Sequence, residues 1–323
     1  PQRMILPGYN PTTEAHGRVL DDAARLFQHA FRPVLYVGGG AVRSDAGAEV
    51  KALSDLTGAP IVTTLPARGI VPDDDPAVLG MLGMHGTIAA TGAVQRSDLL
   101  VAIGARFDDR VTGKLEAFAP GARVIHIDID PAEIGKVREV QVPIVGDLKG
   151  VLAGIVSTLE KEGARPGTGT WVEQISAWRT RYPFYHPGVG DDPDEIVPEV
   201  VLKKLSESLD PQNSVVVTEV GQHQMWAAQS VDREAPRSFL SSGGLGTMGY
   251  SIPAALGAKL ARPNREVVAI CGDGAFQMSM CELGTIAQNH IGVKIIIMRN
   301  TRLGMVRELQ DNLYGHRHAA TIL

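Results

Sequence analysis

Two short polar motifs near the carboxyl end of the chain have the residue types and spacing of a metal–phosphate site. Gly272-Asp273-Gly274 follows an apolar run at residues 265–270, and Asn300 follows another at residues 293–298. Such runs are typical of buried parallel strands, whose carboxyl ends meet at the sheet edge where open α/β folds bind ligands. A carboxylate and an amide oxygen there are hard ligands suited to Mg²⁺, with phosphate oxygens completing its octahedron. The alternative interpretation is an ordinary Asp-containing turn.

The elements that would position these residues alternate between strands and helices. Alternation of this kind predicts the α/β class, with two doubly wound parallel-sheet (Rossmann-like) domains. The predicted domains are residues 1–162 and 196–323, joined by a linker at 163–195 that contains one short helix, at 171–181. The predicted strands are 34–37, 61–64, 99–104, 124–128, 215–218, 265–270 and 293–298. The other predicted helices are 14–31, one that follows a turn at 38–41 and ends near residue 57, 197–209, and a segment through Glu282 to about residue 289.

Composition excludes several classes of partner. The 323 residues carry a net charge of −5 with both signs interspersed, which does not favour nucleic-acid binding. No apolar run approaches the roughly 18–20 residues of a membrane span. The spacing of Cys271 and Cys281 matches no zinc or redox motif, so we expect two reduced, buried thiols in a cytosolic protein.

A second pair of motifs suits a phosphorylated, flat ligand. The strand at 215–218 leads through Glu219 into Gln222 and His223 just before a helix, where free N–H groups and these side chains could meet phosphate. Residues 242–250 contain four glycines, which let a backbone approach a flat ligand closely, with Met248 as the bulky apolar residue among them.

Taken together, these motifs resemble the large catalytic subunits of the acetolactate synthase (acetohydroxyacid synthase) family of thiamine-diphosphate enzymes, over nearly the whole chain. The resemblance implies that Mg²⁺ is bound by Asp273, Asn300 and the backbone carbonyl of Arg302. It also implies that Met248 acts in catalysis by holding the cofactor bent. The implied contacts of thiamine diphosphate are Val220, Gly221, Gln222, His223, Gly246, Met248, Gly272, Asp273, Gly274, Ala275 and Met305.

The first predicted domain contains different sequence motifs that suggest binding of a nucleotide cofactor. Gly38-Gly39-Gly40 lacks the full dinucleotide fingerprint and the acidic residue about 20 positions later, so NAD is not favoured. Residues 104–113 could be a solvated charge cluster, but they follow an apolar strand and, with residues 82–86, resemble the flavin-binding members of the family. The implied FAD contacts are Gly38, Gly39, Gly40, Thr64, Leu65, Leu82, Gly83, Met84, His85, Gly104, Arg106, Asp108, Arg110, Val111, Asp128, Ile129 and Asp147.

The activity implied by the resemblance is decarboxylation of pyruvate and transfer of the two-carbon unit to a second 2-oxoacid, pyruvate or 2-oxobutyrate, in branched-chain amino-acid biosynthesis. Arg110 would hold the carboxylate of that second substrate, since a guanidinium fork matches a planar carboxylate. FAD would be structural. A homodimer or homotetramer with a small regulatory subunit is implied, in the cytoplasm of a bacterium or an organelle of a eukaryote.

Other functions stay open at this point. One is a different thiamine-diphosphate enzyme, such as pyruvate oxidase or glyoxylate carboligase. Another is a non-catalytic nucleotide-binding module.

The sequence departs from the family pattern in three respects. Arg299 stands where the family usually has the first of two asparagines, and Leu309 where many members have a Trp that favours 2-oxobutyrate. The family's activating glutamate lies in an amino-terminal pyrimidine-binding domain, and no residue of this chain corresponds to it. From this, and from Pro1 and Leu323 as the ends, we expect a fragment without that domain and without the C-terminal end, inactive alone.

Overall fold

The computed structural model describes residues 11–163, 169–182 and 196–323, so the predicted irregular start and most of the predicted linker lie outside the described residues. The strands are β1 Pro33–Val37, β2 Ile61–Thr63, β3 Val78–Met81, β4 Leu99–Ile103, β5 Arg123–Asp128, β6 Val142–Val145, β7 Ser214–Val217, β8 Phe239–Leu240, β9 Glu266–Gly272 and β10 Lys294–Met298. The helices are α1 Gly17–Gln28, α2 Gly39–Arg43, α3 Gly47–Thr57, α4 Ile88–Arg96, α5 Asp109–Thr112, α6 Leu148–Glu162, α7 Gly169–Arg181, α8 Pro198–Ser208, α9 Gln222–Ser230, α10 Ser251–Ala261, α11 Asp273–Ser279, α12 Glu282–Gln288 and α13 Gly304–Leu313.

The chain forms two compact units that are not continuous in sequence. Of the described residues, the first unit holds 11–64, 82–84 and 88–181, and the second holds 65–81, 85–87, 182 and 196–323. The segment that contains β3 therefore groups with the second unit, although it precedes most of the first unit along the chain. The predicted boundaries at 162 and 196 stay a prediction.

The first unit is built on parallel strands in the order β2-β1-β4-β5-β6. From the pair β1 and β4 the chain order runs outward in two directions, which makes this pair the topological switch point. Every residue of β1 and β4 is buried, as expected for strands covered by helices on both faces. A crevice at the carboxyl ends of β1 and β4 is thus the expected ligand position in this unit.

The second unit contains a parallel sheet in the order β10-β9-β7-β8. Alternate residues of its central strands enter two separate hydrophobic clusters, because successive side chains of a strand point to opposite faces. Val216 and Val268 pack with residues of α8 and α9 in one cluster, whereas Val217 and Val267 pack with Ala255 of α10 in the other. The predicted doubly wound α/β class is confirmed in both units.

Helix α7 was predicted as part of a linker, and it packs on the first unit. Trp171 is buried and its indole N–H donates to the Pro33 carbonyl at 3.3 Å. Trp178 stacks edge-on against Trp171 with ring centroids 5.8 Å apart, and it lies over Gly92 of α4. Helix α7 is therefore packed against β1 and α4 as part of the first unit.

One predicted helix is split by a local feature. The helix predicted to follow the glycine turn at 38–41 and to end near residue 57 is two helices, α2 and α3, because Asp45 between them adopts a left-handed φ of 55° that no α-helix can contain. The helix predicted through Glu282 corresponds to α12, and the separate helix α11 precedes it. None of the helices in the described ranges has the length and hydropathy that a membrane-spanning helix needs.

A buried group of charges ties the segment around residue 70 to the rest of the second unit. The Asp73 carboxylate receives a hydrogen bond from Arg68 Nη1 at 2.8 Å and another from the Arg233 backbone N–H at 2.8 Å. Arg68 also donates to the Val231 carbonyl at 3.1 Å, and Arg233 Nη1 to Ser214 Oγ at 2.9 Å. Arg233 is fully buried, so Asp73 supplies the negative charge that two desolvated guanidinium groups need.

We predict that Asp73→Asn lowers the free energy of unfolding by about 3–5 kcal/mol, because it leaves buried guanidinium charge without a counter-ion. The measurement is urea denaturation followed by far-ultraviolet circular dichroism. Asp74→Asn is the matched control, since Asp74 is an exposed neighbour and its loss is expected to matter by less than about 0.5 kcal/mol. Equal effects of the two substitutions would contradict this account.

Candidate functional site

The structure brings Asp273 and Asn300 together at the carboxyl ends of adjacent strands. In the parallel register of β9 and β10, Gly272 lies opposite Met298, so both chains leave the sheet side by side. Asp273 Oδ2 accepts hydrogen bonds from the backbone N–H groups of Asn300 at 3.1 Å and Thr301 at 2.6 Å, and Oδ1 accepts from that of Gly274 at 3.0 Å. The carboxylate therefore fixes the loop that carries Asn300.

The loop after Asn300 is fixed from its other side as well. Asn300 Oδ1 accepts the Arg302 backbone N–H at 2.9 Å. Arg302 forms an antiparallel bridge with Ile322, so residues near 320 pair with this loop. Hydrogen bonds thus connect the three residues predicted to bind metal: Asp273 is bonded to the loop that carries Asn300 and Arg302.

Three elements converge at Gly304, the first residue of α13. A Cβ placed on Gly304 would lie 2.1 Å from Gln222 Oε1 and 2.8 Å from Asn300 Nδ2, so both polar side chains lie directly over this glycine. Gln222 Nε2 also donates to Glu308 Oε2 at 3.0 Å. The start of α9, the end of β10 and the start of α13 form a polar cradle that any larger residue at position 304 would fill.

A buried carboxylate that sequence reasoning gave no role, Glu219, lies beside His223. It has no exposed surface, and its Oε2 accepts the backbone N–H groups of Gly249 at 2.8 Å and Ser251 at 3.4 Å. Its Oε1 lies 3.6 Å from His223 Nε2. In the part of the chain that the structure describes, neither of these two atoms has a hydrogen-bond partner. The available sequence signal was an acidic residue directly after a buried strand.

The orientation of His223 follows from these contacts. Its Nε2 is directed to Glu219, whereas Nδ1 lies 2.9 Å and 3.2 Å from where a Cβ on Gly221 or Gly272 would stand. The absence of side chains at both glycines is what makes room for the ring. Nδ1 is therefore the ring nitrogen that could face a ligand.

The glycine-rich segment forms turns on the same side of the second unit. Gly246 and Gly249 have φ values of +62° and +82°, which favour glycine, and they lie beside Val220 and Met278 respectively. Met248 and Met305 are both half-buried. Gly274 and Ala275 are buried at the start of α11, where a Cβ on Gly274 would approach Leu323 within 3.0 Å.

In the first unit, the predicted glycines meet at the switch point. A Cβ on Gly38 would lie 2.1 Å from the Gly104 carbonyl oxygen, and one on Gly40 would lie 2.8 Å from the Gly104 Cα. The Gly40 N–H donates to the Gly104 carbonyl at 3.1 Å. Gly38, Gly40 and Gly104 are therefore required by backbone packing between the β1 and β4 loops, whatever ligand lies above them.

The polar residues predicted to contact FAD fall into two groups, those already hydrogen-bonded within the chain and one that is not. Asp147 caps α6 and accepts the Ser44 hydroxyl at 3.0 Å, and Asp128 accepts the Asp130 N–H at 2.9 Å, so both are engaged within the chain. Thr64 Oγ1, in contrast, is a buried atom without a hydrogen-bond partner among the described residues. That hydroxyl is the best available donor for an added group at this edge.

The charged block after β4 is exposed. Arg106 pairs with Asp108, which caps α5, and Arg110 pairs with Asp109 at 3.1 Å while 74 % of its own side chain stays exposed. The Arg110 carbonyl accepts the Met84 N–H at 3.0 Å, which joins this block to the loop of residues 82–84. On the loop of residues 82–84, Leu82 is buried, Gly83 has no Cβ and so leaves room for Val111, and Met84 is exposed. Ile129, which follows β5, is also exposed.

Two of the predicted flavin contacts belong to the second unit. The His85 carbonyl accepts a hydrogen bond from Gln229 Nε2 at 2.5 Å, and Leu65 packs beside Gly243.

The two positions that depart from the family pattern lie in the second unit. Arg299 is exposed, and Leu309 of α13 is 45 % exposed.

Comparison with known protein families shows which domain type each of the two units matches. Residues 20–155 match the model of the thiamine pyrophosphate enzyme central domain, and residues 219–322 match that of the C-terminal TPP-binding domain. The chain belongs to the thiamine pyrophosphate enzymes. The second match spans Asp273, Asn300 and the Gly304 cradle, so the site described above lies in the TPP-binding domain of this family.

The curated relatives of this chain show which members of the family it is similar to in sequence. The chain is 52 % identical over 326 residues to the acetolactate synthase large subunit of Mycobacterium tuberculosis, 49 % over 325 residues to that of Corynebacterium glutamicum and 48 % over 322 residues to that of Pyropia yezoensis. These alignments cover 99–100 % of this chain and 51–53 % of the relatives. The chain thus spans about half the length of the curated relatives it matches.

The two cysteines differ in environment, and the expectation that both are buried was wrong for Cys281, which is exposed on the short stretch before α12. Cys271 is buried in β9. Burial, with a contribution from the nearby Glu219 carboxylate, raises the pKa of its thiol to about 12.

We predict that one thiol per chain reacts with a disulfide reagent in the native protein at pH 8, and two react after denaturation. Cys281→Ser should remove the native reaction entirely, and a remaining native signal would contradict the assignment.

The folded state keeps the Cys271 thiol protonated up to about pH 12, whereas an ordinary thiol ionises near 9.0. Its contribution to stability is therefore complete below pH 9 and is lost as the pH rises towards 12.

Proposed function

We propose that this chain is the central and TPP-binding part of an acetolactate synthase large subunit. The proposed reaction is the decarboxylation of pyruvate and transfer of its two-carbon unit to pyruvate or 2-oxobutyrate, in branched-chain amino-acid biosynthesis. The observation that carries the proposal is the Asp273–Asn300 loop, which lies in a domain of the TPP-binding family, in a chain about half of whose residues are identical to acetolactate synthases.

The residues of the second unit fit a magnesium diphosphate. Asp273 and Asn300 offer a carboxylate and an amide oxygen, with the Arg302 carbonyl two residues on, and these are the hard oxygen ligands that Mg²⁺ prefers. The first N–H groups of α9, with Gln222 and the free ring edge of His223, would bind the diphosphate. Glycine at position 304 lets the Gln222 and Asn300 side chains lie close to the start of α13.

When bound, thiamine diphosphate supplies the carbon nucleophile and the electron sink for decarboxylation. The residues of this chain would hold and shape it. The proposed contacts are those of α9 and of the loops after β7, β9 and β10, with Met248 and Met305 against the rings. Glu219 would keep His223 in one orientation, so that a single ring nitrogen meets the phosphate.

FAD is proposed for the first unit, in a structural role. The switch-point position, the unpartnered Thr64 hydroxyl and the exposed apolar side chains of Met84 and Ile129 favour a large, partly apolar ligand at the carboxyl ends of β1 and β4. Arg110, which is largely exposed, would bind the carboxylate of the second 2-oxoacid. A small regulatory subunit is a further part of the proposal, supported by the large-subunit names of the relatives. A homo-oligomeric, cytoplasmic assembly is proposed from the family resemblance alone.

We predict that Asp273→Ala abolishes the magnesium dependence of thiamine diphosphate binding, because it removes the carboxylate that holds the Asn300 loop and would bind the metal. The measurement is calorimetric titration of the cofactor with and without Mg²⁺. Asp273→Asn, which keeps one acceptor oxygen for the loop, separates loss of charge from loss of fold, and Asp74→Asn is the exposed control. Full magnesium-dependent binding by Asp273→Ala would refute the assignment.

Activity is tested in a chimera in which this chain replaces the aligned half of the Mycobacterium tuberculosis large subunit. Acetolactate formation from pyruvate is expected, and its loss on introducing Asp273→Ala. A different product from pyruvate would point to another thiamine-diphosphate enzyme. Cofactor binding that is indifferent to Mg²⁺ would favour a nucleotide-binding module.

For Arg110, we predict that Arg110→Lys in the same chimera impairs transfer to the second 2-oxoacid by roughly tenfold to a hundredfold more than it impairs CO₂ release, since an ammonium cannot reproduce the two parallel hydrogen bonds of the guanidinium. The two rates are measured separately, as acetolactate formed and CO₂ released. Lys114→Arg provides a control at another cation of the same region. Equal loss of both steps would assign Arg110 to folding or to the flavin.

A further inference from the structure

Three potential metal ligands lie close together at the end of α13, outside the residues assigned to either cofactor. They are Asp311 in the last turn of the helix and His316 and His318 in the turn that follows it. One ligand atom of each lies within 4.8 Å of those of the other two. The spacing Asp-x₄-His-x-His places all three on adjoining turns, so the cluster is formed by local chain geometry.

The three side chains are directed at one point. His316 Nδ1 lies 2.9 Å from Asp311 Oδ1, and His318 Nε2 is hydrogen-bonded to the same oxygen. The two imidazole rings are inclined at 78° with their centroids 6.3 Å apart, so they approach that oxygen from different directions. Hydrogen bonds from His318 and then His316 keep the pKa of Asp311 below its ordinary value, which leaves the carboxylate ionised.

The turn that carries the histidines is held by bonds of its own. The Gln310 side chain donates to the Ala319 carbonyl at 3.0 Å and accepts the Ala319 N–H at 3.2 Å, and the His316 N–H donates to the Gln310 carbonyl at 3.2 Å. Gly315 and His316 both adopt left-handed φ values, +59° and +58°. A left-handed φ is uncommon for a residue other than glycine, and here it aims the His316 ring back at the helix.

The surroundings leave the shared oxygen accessible. Arg307 Nε, one helical turn earlier, lies 3.9 Å from the other carboxylate oxygen, Oδ2. The side chain of His316 is 77 % exposed and that of His318 is 28 % exposed. An ion could therefore enter from solvent and keep water in its remaining coordination positions.

We propose that Asp311, His316 and His318 form a binding site for a borderline divalent transition-metal ion, with Zn²⁺ as the best match. Two imidazole nitrogens and one carboxylate oxygen are a ligand set typical of zinc, with an open position for water, whereas Mg²⁺ and Ca²⁺ prefer oxygen ligands throughout. The ion would take the place of the hydrogen bonds that now join the two imidazole rings to Asp311. Bound metal would clip the turn at residues 314–318 to the end of α13.

The test is titration of the whole chain with Zn²⁺ alone, and separately with Co²⁺ followed by visible absorption, in the absence of thiamine diphosphate. An Asp273→Ala background removes the candidate magnesium ligand, so that any binding is attributed elsewhere. The expected result is one ion per chain, with affinity lowered by about tenfold or more in His318→Ala and in His316→Asn. Asparagine is chosen at position 316 because it tolerates a left-handed backbone.

His290→Asn is the matched control, because His290 is also exposed and also has a left-handed φ, 52°. It should bind as the unsubstituted chain does, and circular dichroism should show all variants folded. The proposal is overturned if the unsubstituted chain binds no Zn²⁺, or if the double variant His316→Asn/His318→Ala binds with unchanged affinity. Either result would leave the three residues as a hydrogen-bonded cluster. Loss of thiamine diphosphate binding would not affect this proposal, since the two sites share no residue.

Discussion

The parallel pairing of β9 with β10 is the constraint on which the candidate site depends. It sets Gly272 opposite Met298, so that the residues after both strands emerge together and the Asp273 carboxylate can accept the N–H groups of Asn300 and Thr301. A one-residue slip would turn the alternating side chains of β10 to the opposite face and carry Asn300 away from Asp273. The path of the chain into α13, and hence the position of Gly304 over Gln222, follows from the same pairing.

A second carboxylate, Glu219, follows the neighbouring strand β7 and differs from Asp273 in exposure. Complete burial of a carboxylate is costly, and here it is offset by hydrogen bonds from the N–H groups of Gly249 and Ser251. Glu219 therefore fixes the glycine-rich segment and the ring of His223 but is closed to an ion from solvent. Asp273 is only partly buried, which makes it the carboxylate of the pair that a metal can reach.

Sequence reasoning succeeded where a strand is buried on both faces, because β1, β4, β5, β7 and β9 then appear as continuous apolar runs. It did not identify β6, an edge strand interrupted by Pro143, or the helix α13, whose residues are all at least partly exposed.

Within the site, sequence reasoning named Asp273 and Asn300 because strand ends can be located from the sequence. The roles of Glu219, Gly304 and Glu308 depend on contacts between distant elements, which spacing does not reveal. Gly38 and Gly40 suggested a nucleotide, yet their immediate reason is the backbone of Gly104.

The segment after α13 links the Asp311, His316 and His318 cluster to the loop that carries Asn300. Thr321 accepts the Leu303 N–H at 2.9 Å, and the Leu323 N–H donates to the Thr301 carbonyl at 3.0 Å, so the segment near residue 321 pairs with the loop that carries Asn300. The same segment is held at its start by Gln310, next to Asp311. The turn bearing His316 and His318 directly precedes Ala319, and the residues that pair with the Asn300 loop begin at Thr321. Any restraint on that turn therefore acts along the chain on the residues that back the Asn300 loop, and it needs no contact with the cofactor residues to do so.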